Sequence, residues 1–440
     1  MNPRTLLFLF LLLFTVHCSL FTVPAYADDL KLQDLIDEAL KNNHDLILSG
    51  LKVSTSKYKI PQVQSFPDPM FMVGYQNEGW DRYTYGDMQG AQWMFSASQM
   101  FPFPGKRSLK GEMASKDTES LTALADYARL SIIVRVKELY YELFLTYKNI
   151  GLIRDKAALF SRIEDAAIAR YSSGMAPQQE VLMAQTEKYM LLEKEEMLKQ
   201  KMQSIEAMLD MAVGRDVNSP LGRPVEPVHT SYIYSIAELI KMSHSNSPLI
   251  KSREKMIAGA ETKVRMAEKE YYPDFTLAGS VFKRRGEFED MWSLTTTINI
   301  PLFYRTKQKM AVLEAESALS EAKHELEAVK LMLSSNIREN YSMVKAAEKL
   351  TDLYKNGLIP KAYQDFELAI AGYVTGKVEA ITVITRLKSL IDYELLYWGQ
   401  FIEREKAVAR LEAITAVSNQ HSARPALQNK IEASVNQGEK

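Results

Sequence analysis

The sequence predicts a mainly helical chain built as a tandem repeat, each half carrying a long helical hairpin and a pair of short β-strands. Three observations lead there. Glycine and proline are few, 19 and 16 in 440 residues, which favours long uninterrupted helices over a loop-rich architecture. No proline interrupts the stretch from Lys106 to Ala176, where apolar residues recur at three- and four-residue steps. Four sequence landmarks then recur in the same order about 200 residues apart. The charge balance, Lys+Arg 54 against Asp+Glu 55, excludes a polybasic nucleic-acid binder and an acidic disordered chain. One cysteine excludes a disulfide framework and a zinc site built on several thiolates.

The chain opens with a single positive charge, Arg4, followed by the apolar run Leu6 to Val16 and the small-residue triplet Ala25-Tyr26-Ala27. Those are the three parts of a secretory signal peptide cleaved after Ala27; the apolar run is short for an uncleaved membrane anchor. Cys18 follows His17, where a lipoprotein signal needs a small residue, so lipidation is the lesser reading. Export is the expectation.

The landmarks place the repeats. Leu32-Gln33-Asp34-Leu35-Ile36 matches Ile236-Ala237-Glu238-Leu239-Ile240, and Phe66-Pro67-Asp68 matches Tyr272-Pro273-Asp274. Met100-Phe101-Pro102-Phe103 matches Asn299-Ile300-Pro301-Leu302, and Ala167-Ile168-Ala169-Arg170-Tyr171-Ser172-Ser173-Gly174 matches Ala369-Ile370-Ala371-Gly372-Tyr373-Val374-Thr375-Gly376. The expected organisation is a leader 1–27, a first repeat 28–213, a linker 214–230 broken by Pro220, Pro224 and Pro227, a second repeat 231–415 and a polar tail 416–440. Each repeat reads as helix, two strands, long helix, sharp turn, helix.

The seam Leu139, Leu143, Tyr147, Ile150, Ile153, Ala157, Phe160, Ile163 and Ala167 faces other helices. About 65 residues at ~1.5 Å each give a helix on the order of 100 Å long, too long for the inside of a compact globule. The second long stretch starts near Tyr304, is expected to break at Asn356-Gly357 and restarts at Pro360, a residue suited to a first helical turn.

The strands alternate. Trp93, Phe95, Ala97, Gln99 and Phe101 oppose Met94, Ser96, Ser98 and Met100; Trp292, Leu294, Thr296, Ile298 and Ile300 oppose Met291, Ser293, Thr295, Thr297 and Asn299. Strands of about ten residues with one apolar and one small polar face fit a membrane barrel, and the same period fits a soluble sheet with one wet face. Four strands cannot close a barrel, and an open edge cannot sit in lipid, so spanning would require several chains to share one barrel. Gln76 to Gln92 and Lys283 to Asp290 would be outward loops, the first carrying Trp80, Tyr83 and Tyr85.

Nothing in the sequence argues for catalysis or a bound cofactor. His324-Glu325 lacks a second histidine for a zinc helix, no G-x-G-x-x-G is present, and Gly372 to Lys377 lacks the P-loop spacing. The methionines sit at helical spacings and read as packing.

Taken with Gln99-Met100-Phe101-Pro102-Phe103-Pro104-Gly105-Lys106-Arg107 and the two Tyr-x-x-Gly turns, the chain resembles the TolC-like outer-membrane efflux family from about Leu30 to Leu411. Leu358-Ile359-Pro360-Lys361-Ala362, leading into Tyr373-Val374-Thr375-Gly376-Lys377, is similar to the branch that serves heavy-metal and multidrug pumps of the resistance-nodulation-division class. The resemblance implies a homotrimer whose four strands per chain make a 12-stranded barrel in the outer membrane of a Gram-negative bacterium, continued by a periplasmic helical barrel. It implies a periplasmic adaptor, fed by an inner-membrane pump, docking at the hairpin tips: here Tyr171, Ser173, Gly174 and Met175, with Tyr373, Thr375, Gly376 and Lys377. Ser173 and Thr375 stand where the family often has valine, and Lys377 where it has a small or apolar residue. The family's aperture is often lined by acids just past the tip; Glu180 stands there in the first repeat and Thr382 in the second. The competing readings are a periplasmic adaptor, which would need a lipoyl-like β domain around one hairpin, and an exported coiled-coil scaffold without a membrane barrel.

Overall fold

The computed structural model describes residues 29–217 and 219–416; the leader 1–27 with Cys18, and the tail beyond 416, lie outside the described residues. The elements in order are α1 (Leu32–Asn42), α2 (His44–Gln64), β1 (Met70–Gln76), β2 (Gln92–Phe101), α3 (Lys106–Ser172), α4 (Gln178–Val213), α5 (Ile236–Asn246), α6 (Pro248–Lys269), β3 (Asp274–Lys283), β4 (Met291–Asn299), α7 (Gln308–Asp352), α8 (Ile359–Val374) and α9 (Ala380–Thr415). The same order of elements occurs twice, and it differs from the expectation at one point: two helices, not one, precede each pair of strands. Asn43 and Ser247 take extended ψ near 122° and end α1 and α5, and Pro248 opens α6 at a position where its missing N–H has no partner to lose.

A second correction concerns the expected break at Asn356-Gly357. The backbone stays helical there, passing from α7 to α8 through a π-helical turn, Leu353–Leu358. The wider turn accommodates Pro360, whose ring would clash with a regular α-helical ladder, and Asn356 donates to the Asp352 carboxylate at 2.7 Å.

The described chain forms two compact units, and each draws on both repeats. One comprises 29–43, Ile133–Ser231 and Met343–Ala409; the other comprises His44–Ile132, Tyr232–Ser342 and 410–416. In the first unit the predicted seam of α3 is the core: Leu143, Ile153, Phe160, Ile163 and Ala167 are fully buried. Phe160, Ile163 and Ala167 pack with Val181 and Ala184 of α4, Phe366 and Ala369 of α8, and Val383, Leu387, Leu390 and Ile391 of α9. Each such large side chain contributes about 1.5–3 kcal/mol through burial.

The linker is fastened within this unit. Gly214 closes α4 in the left-handed conformation, φ 85°, where a side chain would meet the Asn42 carbonyl. Leu30 N–H donates to the Arg223 carbonyl at 2.9 Å, and the Tyr140 hydroxyl spans the carbonyls of Leu30 and Val225 at 3.0 and 2.9 Å. At its end the Arg404 guanidinium, 2% exposed, donates to the Thr230 carbonyl at 2.8 Å, to Glu348 at 3.1 Å and to the buried Glu405 at 2.6 Å.

The second unit holds the sheet, order β1-β2-β3-β4, antiparallel throughout. Two hairpins are joined through β2 and β3, so the central pairing is between repeats: Ser96 opposite Ser280, Phe101 opposite Phe275. This register puts Phe71, Val73, Phe95, Phe275, Leu277, Val281, Trp292, Leu294 and Ile298 on one face, all of them exposed. Ser96, Ser280 and Ser293 align across the opposite face, with Ser280 donating to Ser96 at 2.9 Å. Among the described residues both edge strands, β1 and β4, are unpaired on their outer side.

The corner from β2 into α3 is locked onto the start of β3. Asp274 Oδ1 accepts from the Phe103 N–H at 2.7 Å and from the buried Lys106 ammonium at 3.0 Å. Lys106 also donates to the Tyr272 carbonyl at 3.0 Å and pairs with Glu270 at 3.2 Å, while the Phe103 ring stacks on Tyr272 at 4.6 Å.

Removing one partner of a buried charge cluster strands the others. Arg404→Ala is expected to destabilise the protein by about 3–5 kcal/mol in denaturant unfolding, and Arg404→Met with Glu405→Leu to recover most of that loss.

Candidate functional site

The two helical reversals lie in one unit and share one construction. After α3, Gly174 takes φ 72°; its N–H donates to the Tyr171 carbonyl at 3.0 Å, and Met175 N–H to the Arg170 carbonyl at 2.8 Å. After α8, Gly376 takes φ 76°; its N–H donates to the Tyr373 carbonyl at 3.0 Å, and Lys377 N–H to the Gly372 carbonyl at 2.9 Å. A left-handed glycine at the helix end lets the following N–H groups satisfy carbonyls the last turn leaves open. Around either glycine a side chain would meet nothing within 4 Å. The glycines serve the backbone reversal and leave open space in front of it.

The hydroxyl residues beside them have the same local role. Ser173 Oγ donates to the carbonyls of Ala169 and Arg170, both at 3.0 Å, and Thr375 Oγ1 to those of Ala371 and Gly372 at 3.3 and 3.1 Å. A valine cannot do this. The family departures at these two positions therefore act as hydroxyl caps on the helix ends.

Seven of the eight predicted tip residues are exposed: Tyr171 (48%), Ser173, Gly174, Met175, Thr375, Gly376 and Lys377. Tyr373 is not. It is 0% exposed, packed in the core with Ile163 and Ala167, and its hydroxyl donates to Glu180 at 2.8 Å. Glu180, the aperture candidate, is thus half-buried and engaged within its own chain. Arg170 completes the group: its guanidinium lies 4.5 Å from the Tyr373 ring centre, donates to the Tyr373 carbonyl at 2.7 Å and reaches the Met175 carbonyl at 3.3 Å. Sequence reasoning missed Arg170 and the exposed Val374. The available signal was the mismatch between repeats: Arg170 stands where the second repeat has Gly372, which has no side chain to bridge with.

At the sheet, the loop after β1 is ordered by its own side chains. Asn77 donates to the carbonyls of Gly79 and Arg82, both at 2.8 Å, and accepts from Thr84 N–H at 2.9 Å. Tyr75 packs on Tyr83 and Trp93, with ring centres 5.0 and 5.1 Å away, while Trp80 stands fully exposed. Among the described residues no helix is long and apolar enough to cross a membrane.

Burial, then the bond to the Glu180 carboxylate, push the Tyr373 hydroxyl up to about 12. A raised folded-state value stabilises the protein below the unfolded value of 10.0, and that contribution fades as pH rises towards 12. Tyr373→Phe is expected to lower stability by about 1 kcal/mol at neutral pH. Over pH 10–12 the gap between wild type and variant closes, as thermal unfolding would read.

The family pattern of the outer membrane efflux proteins matches residues 35–215 and 239–385. The chain is similar to the cobalt-zinc-cadmium resistance protein CzcC of Cupriavidus metallidurans, 20% identical over 396 residues, covering 88% of this chain and 90% of that one. In fold it is similar to the CmeC outer membrane channel of Campylobacter jejuni (TM-score 0.76, 14% identity, 92% and 89% of the two chains). It is also similar to the outer membrane protein VceC of Vibrio cholerae (TM-score 0.73, 17% identity, 87% and 95%). Long helices reversing at paired glycines, and a four-stranded sheet apolar on one face, thus find their place: the chain belongs to the outer membrane efflux protein family.

Proposed function

We propose that the chain is the exit duct of a tripartite efflux system. Three copies share one 12-stranded barrel in the outer membrane, and their helices continue it as a tunnel into the periplasm. A periplasmic adaptor docks on the hairpin tips, and an inner-membrane pump of the resistance-nodulation-division class supplies the energy. The duct itself performs no bond chemistry.

The observation that carries this reading is the sheet. An exposed apolar face across all four strands, opposite a face that carries Ser96, Ser280, Ser293, Thr295 and Thr297 along with Met72, Met94 and Phe282, suits lipid outside and water inside. Antiparallel order brings the outer edge of β4 into the correct direction to pair with β1 of another copy, so three copies close without an unpaired edge. The open space before Gly174 and Gly376 suits a docking surface. Metal ions are the proposed cargo, supported by the likeness to a protein named for cobalt, zinc and cadmium resistance.

Gly174→Phe and Gly376→Phe test the docking. Each places a bulky side chain into empty space at a strained φ, costing about 1–2 kcal/mol locally. The expected result is loss of resistance to zinc or cadmium in cells that depend on this chain, with trimers still recovered from outer membranes. Unchanged resistance would remove the tips from the adaptor interface.

Three copies of Glu180 around an axis would favour cations. In planar-bilayer recordings Glu180→Gln is expected to lower cation selectivity. An unchanged reversal potential would take Glu180 out of the aperture.

A further inference from the structure

The two repeats pair identically inside each hairpin, and that identity fixes how a second copy must join. Asp68 corresponds to Asp274 and Phe101 to Ile300 by the sequence landmarks. The structure agrees. Met70 lies opposite Ser98, and the matching residues Thr276 and Thr297 lie opposite each other; at the far end Gln76 faces Gln92 as Phe282 faces Met291. The junction between repeats, β2 against β3, is the one strand contact that has no second instance within the chain. Its counterpart would be β4 against β1 of the next copy.

We infer that the copies join β4 to β1 in the register of β2 to β3, locked by an ion pair between Arg305 of one copy and Asp68 of the next. This rests on the shared barrel proposed above. Because Phe101 pairs with Phe275 and Ser98 with Ala278, Ile300 pairs with Pro69 of the next copy and Thr297 with Met72. The transferred register passes a check it was not built to satisfy. Ile298 falls opposite Phe71 and Leu294 opposite Tyr75, both on the apolar face; Thr297 and Thr295 fall opposite Met72 and Gly74 on the other. A slip of one residue would place apolar side chains on the wet face.

The lock follows from the corner chemistry. Within the chain, Lys106 after β2 grips Asp274 at the start of β3. The same step along the second repeat leads from Ile300 to Arg305, and the same step before β1 leads to Asp68. Both are exposed in the single chain, with Arg305 resting against Tyr304. Leu302, Phe303 and Tyr304 beside Arg305 are exposed as well, where Phe103 on the inner corner stacks on Tyr272. Opposite charges and uncovered apolar side chains thus lie where the inner corner has its own counterparts already satisfied.

Cysteine pairing in the intact chain tests the register. In a Cys18→Ala background, Met72→Cys with Thr297→Cys puts two thiols directly across the junction, within the Cα separation a disulfide requires. Oxidation is expected to convert most chains to covalent trimers on a denaturing gel, reversed by reductant. Gly74→Cys with Thr297→Cys, the neighbouring register that also keeps the faces matched, is expected to give little. The opposite pattern, in protein that is trimeric by detergent-corrected mass, overturns the register while leaving the shared barrel standing. Monomers by mass overturn the barrel itself. For the ion pair, Asp68→Arg is expected to lower the temperature at which trimers dissociate, and adding Arg305→Asp to restore it. No recovery in the double variant overturns the lock.

Discussion

An unpaired peptide N–H or C=O in hydrocarbon costs several kcal/mol, and this chain carries a sheet with two unpaired edges and an apolar face. Much else in the molecule is an answer to that constraint. Two hairpins from two repeats are stitched into one sheet by β2 and β3. The corner that leads from β2 into α3 is then fixed by charge, Lys106 against Asp274. Burying an ammonium group there is tolerable because three oxygens surround it, and the result is a strand-to-helix turn with little freedom to swing.

Away from the sheet, the architecture rests on helix packing, and its glycines are used sparingly. The tip glycines supply a backbone conformation, and the residues flanking them supply caps. The pairing of two nearly equivalent tips in one unit creates an inequality: Tyr373 is sealed beneath Arg170 and bonded to Glu180, while its counterpart Tyr171 faces outward. The mismatch of Arg170 against Gly372 at matching positions accompanies the difference. A chain made by duplication can therefore assign an internal role to one copy of a residue and an external role to the other.

Much of this was legible in the residues. The seam from Leu139 to Ala167, the alternation in β2 and β4 and the glycine turns all follow from periodicity and backbone sterics, which are local properties. The split of the leading helix into two was legible at Pro248 and was passed over. The π turn was not legible, since Asn356-Gly357 followed by Pro360 reads locally as a stop, whereas the backbone stays helical there by widening into a π turn. Tyr373 illustrates the same limit at the site. Its neighbours Thr375 and Gly376 are exposed, while contacts from other helices, the apolar core around Ile163 and Ala167, Glu180 and Arg170, surround the inward ring.

The emptiness around Gly174 and Gly376 has a consequence for substitution. Met175, Val374 and Lys377 stand clear of the core, so most exchanges among them alter stability by no more than about 0.5 kcal/mol. The buried residues a few positions away, Phe160, Ile163 and Leu387, are under no such leniency. Side chains at the tips can therefore be exchanged with little effect on folding, whereas exchanges beneath them must preserve apolar packing.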